Sequence, residues 1–247
     1  MKIYGLTDIG VGRNKNEDNF RIGCLDDGAL WAVVCDGMGG VSGGQIASEI
    51  CVEELSDAIV KGYHSGIRNL QLKSIISDGI TKANEIIKNE ADNRAGLRGM
   101  GTTVVAAVVI DDCAVIAHVG DSRAYKINDK IDFISKDHSY VQLLVDEGKI
   151  TPEEARVHED SNIITRAIGT ECRVDVEFDV INLEENDVLF LCTDGLNGAL
   201  SDEKILGIVK DCPRNELPQR LVEAAKNSGE CCDNITVAVI AADNQGE

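Results

Sequence analysis

The feature that most constrains this chain occurs twice. Leu30-Trp31-Ala32-Val33-Val34-Cys35 is an unbroken apolar run of strand length, and it ends at Asp36-Gly37-Met38-Gly39-Gly40. Val188-Leu189-Phe190-Leu191-Cys192 ends in the same manner, at Thr193-Asp194-Gly195. A strand with no polar alternation needs apolar cover on both faces, so each run asks for a layer above it and a layer below. Each run also delivers an acid to the mouth of a rigid strand. The glycines beyond permit a sharp turn and leave room for something to approach. Asp-Gly is an ordinary turn dipeptide as well, so one such acid is explained by turn chemistry alone. What matters is whether other acids converge on it.

The remaining elements follow from periodicity. Ile3 to Thr7, Phe20 to Cys24 and Leu30 to Cys35 read as strands, the last two joined into a hairpin by Leu25-Asp26-Asp27-Gly28. Such a hairpin puts Asp18 and Asp36 on one rim. Gln45 to Val60 and Leu70 to Ile87 carry apolar residues at helical spacing, and a polar loop follows from Ala91 to Met100. Thr102 to Ile110 and Cys113 to Val119 are β-branched strands, the second delivering Asp121, and Ala124 to Ile127 pairs with Ile131 to Ile134. Asp137 to Glu159 is polar, with short helices predicted at Tyr140 to Glu147 and, capped by Thr151, at Pro152 to Arg156. An insertion of this kind reads as a surface flap. Val174 to Val180 alternates like a strand with one wet face. Ser201 caps a helix to about Val209, Leu217 to Ala225 forms another, and Ile235 to Ile240 is the last strand. If the strands bearing Asp194 and Asp233 are antiparallel neighbours, those two acids also share a rim. Strands and helices arriving in runs predict an α+β protein, two sheets with helices outside.

Charge narrows the function. The 247 residues carry a net charge of −19, which repels phosphate backbones and anionic lipid, so nucleic-acid or membrane partners are not expected. No stretch approaches the ~20 apolar residues of a membrane span. Nine cysteines without a Cys-x-x-Cys pair or an apolar leader point to a reducing, cytoplasmic setting. Nothing suggests more than a monomer. Cys231-Cys232 beside Asp233 raises a secondary idea, oxidation disturbing the rim, against the simpler one of ordinary packed cysteines.

Aspartates at strand mouths, without histidine or cysteine at ligand spacing, describe a site for a hard cation: Mg²⁺, Mn²⁺ or Ca²⁺ rather than zinc. Two such ions can activate a water toward phosphorus. Arg13, five residues before Asp18, is placed to clamp a phosphate, although a surface arginine is expected in so acidic a chain.

Arg13-x-x-Asn16-Glu17-Asp18, Asp36-Gly37-Met38-Gly39-Gly40, Gly101-Thr102-Thr103, Gly120-Asp121-Ser122-Arg123, Ala167-Ile168-Gly169, Thr193-Asp194-Gly195-Leu196 and Asp233-Asn234-Ile235-Thr236 occur in that order. In this the chain resembles the PP2C-like (PPM) metal-dependent serine/threonine protein phosphatases of bacterial type, from about Gly5 to Ala241. The resemblance implies a four-layer α-β-β-α sandwich, a central antiparallel β-sandwich flanked by helix pairs, spanning 1–247 as one domain with a flap at about 137–166. It implies hydrolysis of phosphoserine and phosphothreonine on proteins by in-line attack of a hydroxide bridging two Mn²⁺ or Mg²⁺ ions. Asp36 should bridge the ions, with the Gly37 carbonyl on one and Asp194 and Asp233 on the other. Asp18 and Glu17 should coordinate or hold bound waters, Arg13 should bind the phosphate, and Asp121 should help hold a third, weaker ion. Implied partners are phosphorylated proteins, including a Ser/Thr kinase or its targets.

Two positions depart from the family pattern. Gly198 stands where many bacterial relatives carry an acid, which puts the third ion in doubt. Met38 stands where animal members have a histidine, so leaving-group protonation must come from a bound water or another group; neither His138 nor His158 is expected to supply it. Two other readings stay open: a metal-binding regulatory module without catalysis, which inertness across metals and phosphopeptides would favour, and a metallohydrolase of another phosphoester, which a substrate panel would reveal.

Overall fold

A computed structural model describes residues 1–242. One sheet runs β1 (Lys2–Asp8), β12 (Ile235–Ala241), β11 (Val188–Cys192), β8 (Arg123–Ile127), β9 (Ile131–Phe133). The other runs β10 (Glu177–Asn182), β7 (Cys113–Val119), β6 (Val104–Ile110), β3 (Leu30–Cys35), β2 (Asn19–Cys24). Every pairing within them is antiparallel. Two-residue strands β4 (Gly37–Met38) and β5 (Gly101–Thr102) pair separately. Helices α1 (Gly40–Gly62) and α2 (Asn69–Asn93) cover one sheet. Helices α6 (Asp202–Asp211) and α7 (Leu217–Lys226) cover the other, beside the short α5 (Asp194–Asn197).

The apolar runs explain the layering. Successive side chains of a strand point to opposite faces. In β3, Trp31, Val33 and Cys35 face α1 and α2, while Leu30, Ala32 and Val34 face the other sheet. In β11, Val188, Phe190 and Cys192 face α5 to α7, while Leu189 and Leu191 meet β3 and β6 residues between the sheets. Two helix-side cores and one inter-sheet core result, and the architecture is the α-β-β-α sandwich. Burying a side chain such as Phe190 or Ile116 contributes about 1.5–3 kcal/mol each.

Several boundaries differ from the sequence expectation. Helix α1 starts at Gly40 rather than Gln45, because glycines in its first turn carry no apolar periodicity. Helix α2 continues to Asn93, and a 3-10 turn at Ala95–Leu97 interrupts the expected loop. Thr102 to Ile110 is broken at Thr103, whose hydroxyl and amide both bond Asp36. Strand β10 starts at Glu177, because Val174 and Val176 pack against the helix-side core without pairing. The residues after Cys192 do not simply turn; they wind into α5. The segment at 137–166 holds α3 (Tyr140–Asp146) and α4 (Pro152–Arg156), with its ends bridged at Ser139 and Ile164.

Candidate metal centre

Both predicted rims form. In the β2–β3 hairpin Asn19 pairs with Cys35, so Asp18 and Asp36 leave the ladder side by side. Strands β11 and β12 are antiparallel neighbours, with Cys192 opposite Val237, so Asp194 and Asp233 leave the other sheet at the same end. The two rims meet. Burial, then the charges of Asp18, Asp194, Asp121 and Asp233, push the Asp36 carboxyl well above the usual carboxylate range. Asp194 is raised by burial and by the charge of Asp233. Burial and the charges of Asp194 and Asp137 push Asp121 up to about 8. Five acids therefore share one field.

Each is held by the strands beneath it. The Asp36 amide donates to Thr103 Oγ1 at 3.0 Å, and the Thr103 amide returns to the Asp36 carbonyl at 2.8 Å. Thr103 Oγ1 also meets Ser122 Oγ at 2.7 Å, beside Asp121. Asp18, 4% exposed, accepts at Oδ2 from Thr236 at 2.7 Å and Thr193 at 2.9 Å. Its carboxyl is still pushed up to about 7, because burial outweighs those bonds and Asp194 and Asp233 add to it. Glu17 is held by its backbone, its amide donating to Asn234 Oδ1 and its carbonyl accepting from Ser48 Oγ.

Gly37 corrects one expectation. The glycine was read as leaving space for an approaching group. The group that approaches is the chain itself: a Cβ there would overlap the carbonyl oxygen of Gly44 and lie 2.6 Å from that of Glu17. Gly195 repeats the device against the Asn234 carbonyl. The glycine after each acid thus lets backbone pack on backbone, which fixes the acid.

Arg13 lies at the rim, with Nη2 donating to Asp233 Oδ2 at 2.6 Å. That bond, against some burial, raises the guanidinium above its usual range, and the charges of Asp36 and Asp194 add to it. Asp233 Oδ1 accepts its neighbour Asn234's amide at 2.8 Å, so both its oxygens have protein donors. Asp18 Oδ1 and Asp194 Oδ1 are buried with no hydrogen-bond partner among the described residues. Orphaned anionic oxygens inside a field of like charge are costly unless a cation answers them, so the donor set fits hard divalent ions.

From Asp194 and Asp121 a cleft of about 620 Å³ runs between the 137–166 segment and α5, past Asp137, Asn197 and Cys232. Gly198 is on its wall, its amide donating to the Asp194 carbonyl at 2.7 Å. Cys231 is buried, and Cys232 is exposed at the cleft. His118, His138 and Glu177 form a second group, with ligand atoms within 4.8 Å of one another. Arg166 Nη1 sits 2.9 Å from Glu177 Oε1 and 3.0 Å from His138 Nε2, so a guanidinium already holds the place a cation would take.

Sequence reasoning missed the supporting side chains. Thr193, Thr236, Asn234 and the Thr102-Thr103 pair stood in the motifs without a role. Their spacing within each motif carries no sign that two strands 43 positions apart place hydroxyls on one carboxylate.

A sandwich that gathers carboxylates and an arginine at one end of its two sheets is built to hold hard divalent cations beside a phosphate-binding group. The sequence profile of the family described as Protein phosphatase 2C matches residues 11–224, and the chain belongs to that family. It is 36% identical to protein phosphatase PhpP of Streptococcus pneumoniae over 243 residues, 98% of this chain and 97% of that protein. The crystal structure of serine/threonine phosphatase Stp1 from Staphylococcus aureus superposes with a TM-score of 0.91 at 36% identity, covering 98% of this chain and 95% of that one. The catalytic domain of the phosphatase PstP, solved with 2 manganese ions, superposes with a TM-score of 0.83 at 31% identity, covering 96% of each chain.

Proposed function

We propose that this protein hydrolyses phosphoserine and phosphothreonine on other proteins, with Asp36, Asp194, Asp233 and the Gly37 carbonyl holding two Mn²⁺ or Mg²⁺ ions. The convergence of five aspartates and Arg13 in one electrostatic field, with Asp121, Asp194 and Asp233 lining the cleft, carries the reading. When bound, the ions supply an activated water and neutralise charge on the phosphoryl oxygens. The chain's own residues do the rest. Arg13 keeps donors beyond the one spent on Asp233 and offers them to the phosphate. Asp18 and Glu17 support the ions from the β2 side, and Asp121 marks the place for a third. Gly198 brings no acid to that third place. The cleft takes the peptide flanking the phosphorylated residue. His138 has both ring nitrogens in contact with protein partners, and His158 is not among the residues lining the cleft, so neither is positioned as the acid.

The catalytic domain spans 1–247 with its flap at about 137–166; residues 243–247 lie outside the described ones. The setting is the cytoplasm, supported by nine free thiols and by the lack, among described residues, of a helix long and apolar enough to cross a membrane. The protein acts as a monomer, and its partners are a Ser/Thr kinase or that kinase's targets. Asp36→Asn should abolish hydrolysis of a phosphothreonine peptide with Mn²⁺ present while circular dichroism stays native. Retained turnover overturns the two-ion assignment, and an inert native protein overturns the phosphatase reading.

A further inference from the structure

Strand β7 ends at Val119 and β8 begins at Arg123, so Gly120, Asp121 and Ser122 lie beyond the ladder that would hold their backbone. Gly120 adopts φ 107°, a conformation other residues rarely take. What fixes this turn comes from the flap. The His138 amide donates to the Gly120 carbonyl at 2.9 Å, and the Gly120 amide donates to His138 Nδ1 at 3.0 Å. The two residues thus clasp each other. The His138 carbonyl accepts the Thr165 amide at 2.8 Å, which brings in the far end of the flap. Its Nε2 lies 3.0 Å from Glu177 Oε1 on β10, and its ring stacks on His118 at 4.9 Å. Nδ1 accepts an amide proton, and Nε2 is flanked by Glu177 Oε1 and by Arg166 Nη1, each at 3.0 Å. Every polar atom of this buried residue is engaged, and the outcome is a set backbone immediately before Asp121 at the cleft mouth.

We propose that His138 is a positioning residue for Asp121, clasping the Gly120 turn through Nδ1 and tying it to both ends of the flap. This rests on the phosphatase reading above, and its test separates the two. Asparagine at 138 can place its oxygen near the Nδ1 position and keep the Gly120 bond. Glutamine reaches toward the Nε2 position and keeps Glu177 instead.

In metal-free ¹⁵N-labelled protein, Gly120 amide exchange should stay slow in His138→Asn. It should quicken at least about tenfold in His138→Gln and His138→Ala, as for an amide that has lost its acceptor. With Mn²⁺ and a phosphothreonine peptide, His138→Gln should lose about tenfold to a hundredfold in kcat/KM, the usual effect of removing a residue that orients a site. His138→Asn should stay within about threefold of native by the same reasoning. In an Asp121→Asn background, His138→Gln should cost under about twofold, because contacting residues that act as a unit are not additive. Equal cost in both backgrounds, equal activity of the Asn and Gln variants, or unchanged Gly120 exchange in His138→Gln overturns the proposal. A native protein without phosphatase activity overturns the functional reading alone and leaves the exchange result to decide the clasp.

Discussion

Thr236 donates its hydroxyl to Asp18 Oδ2 at 2.7 Å, across 218 positions of sequence. The bond ends a directed chain. Asn16 Nδ2 donates to Thr7 Oγ1 at 2.8 Å, and Thr7 Oγ1 meets Thr236 Oγ1 at 2.7 Å. With Thr236's own proton committed to Asp18, Thr7 is the donor to Thr236. Thr193 adds a second donor to the same Asp18 oxygen. One oxygen is thus saturated, and Oδ1 is left without a protein partner.

Thr236→Val keeps the shape and removes the last donor of this chain. Mn²⁺ affinity measured by titration calorimetry should fall about tenfold or more. The metal-free protein should lose about 1–3 kcal/mol, because a buried carboxylate forfeits a bond. Unchanged affinity would show that Asp18 takes no part in holding the ion.

Metal removal should be visible as unfolding at lower temperature. At a hundredfold excess over Kd, Mn²⁺ binding to the native state contributes about 2.7 kcal/mol. Differential scanning fluorimetry with chelator and with Mn²⁺ should show the difference. Asp36→Asn should erase the Mn²⁺ shift and raise the melting point of the metal-free protein, since it removes a carboxyl whose ionised form burial and four neighbouring acids disfavour.

Gly37→Ala should be among the most damaging single changes in the chain. The new methyl has no room against the Gly44 and Glu17 carbonyls, and backbone cannot move aside as a side chain can. A loss of roughly 3 kcal/mol or more is expected. Gly207→Ala is the control: that position lies inside α6 with nothing within 4 Å, and alanine there should stabilise by about 0.5–1 kcal/mol. Denaturant unfolding of both variants checks the contrast.

His118 gives the protein an acid-labile element. Burial, then the charge of neighbouring His138, lowers its imidazole to about 4, and its Nδ1 has no partner. The unfolded chain takes up this proton near pH 6.5 and the native state only near 4. Between those values the unfolded state binds more protons, so stability falls as pH falls. One group contributes on the order of 3 kcal/mol across that window. Asp18 and Asp121 slope the other way, because their native values are raised. Comparing native protein with His118→Asn in denaturant titrations from pH 7 to 4 cancels the shared acids. The native curve should drop more steeply below pH 6.5.

The arrangement of layers was legible in the sequence because it follows from local pattern. Cys113–Val119, Leu30–Cys35 and Pro152–Arg156 have the bounds their residues predict. The apolar runs demanded cover on both faces, and hairpin connection alone brought Asp18 to Asp36. Where local pattern was silent, or was met by no partner strand, the reading failed. The glycines opening α1 have no apolar phase, and Val174 and Val176 alternate like a strand although no partner strand reaches them.

By itself the sequence determined which acids stand at strand mouths and that two sheets with helical cover would carry them. Only the tertiary structure decided how those acids are held. Thr193 and Thr236 converge on Asp18 because antiparallel β11 and β12 end in register, and His138 reaches Gly120 because the flap returns to the end of β7. Periodicity is a property of neighbours along the chain. A hydrogen bond between residues 218 positions apart depends on sheet order and register, which no local pattern contains.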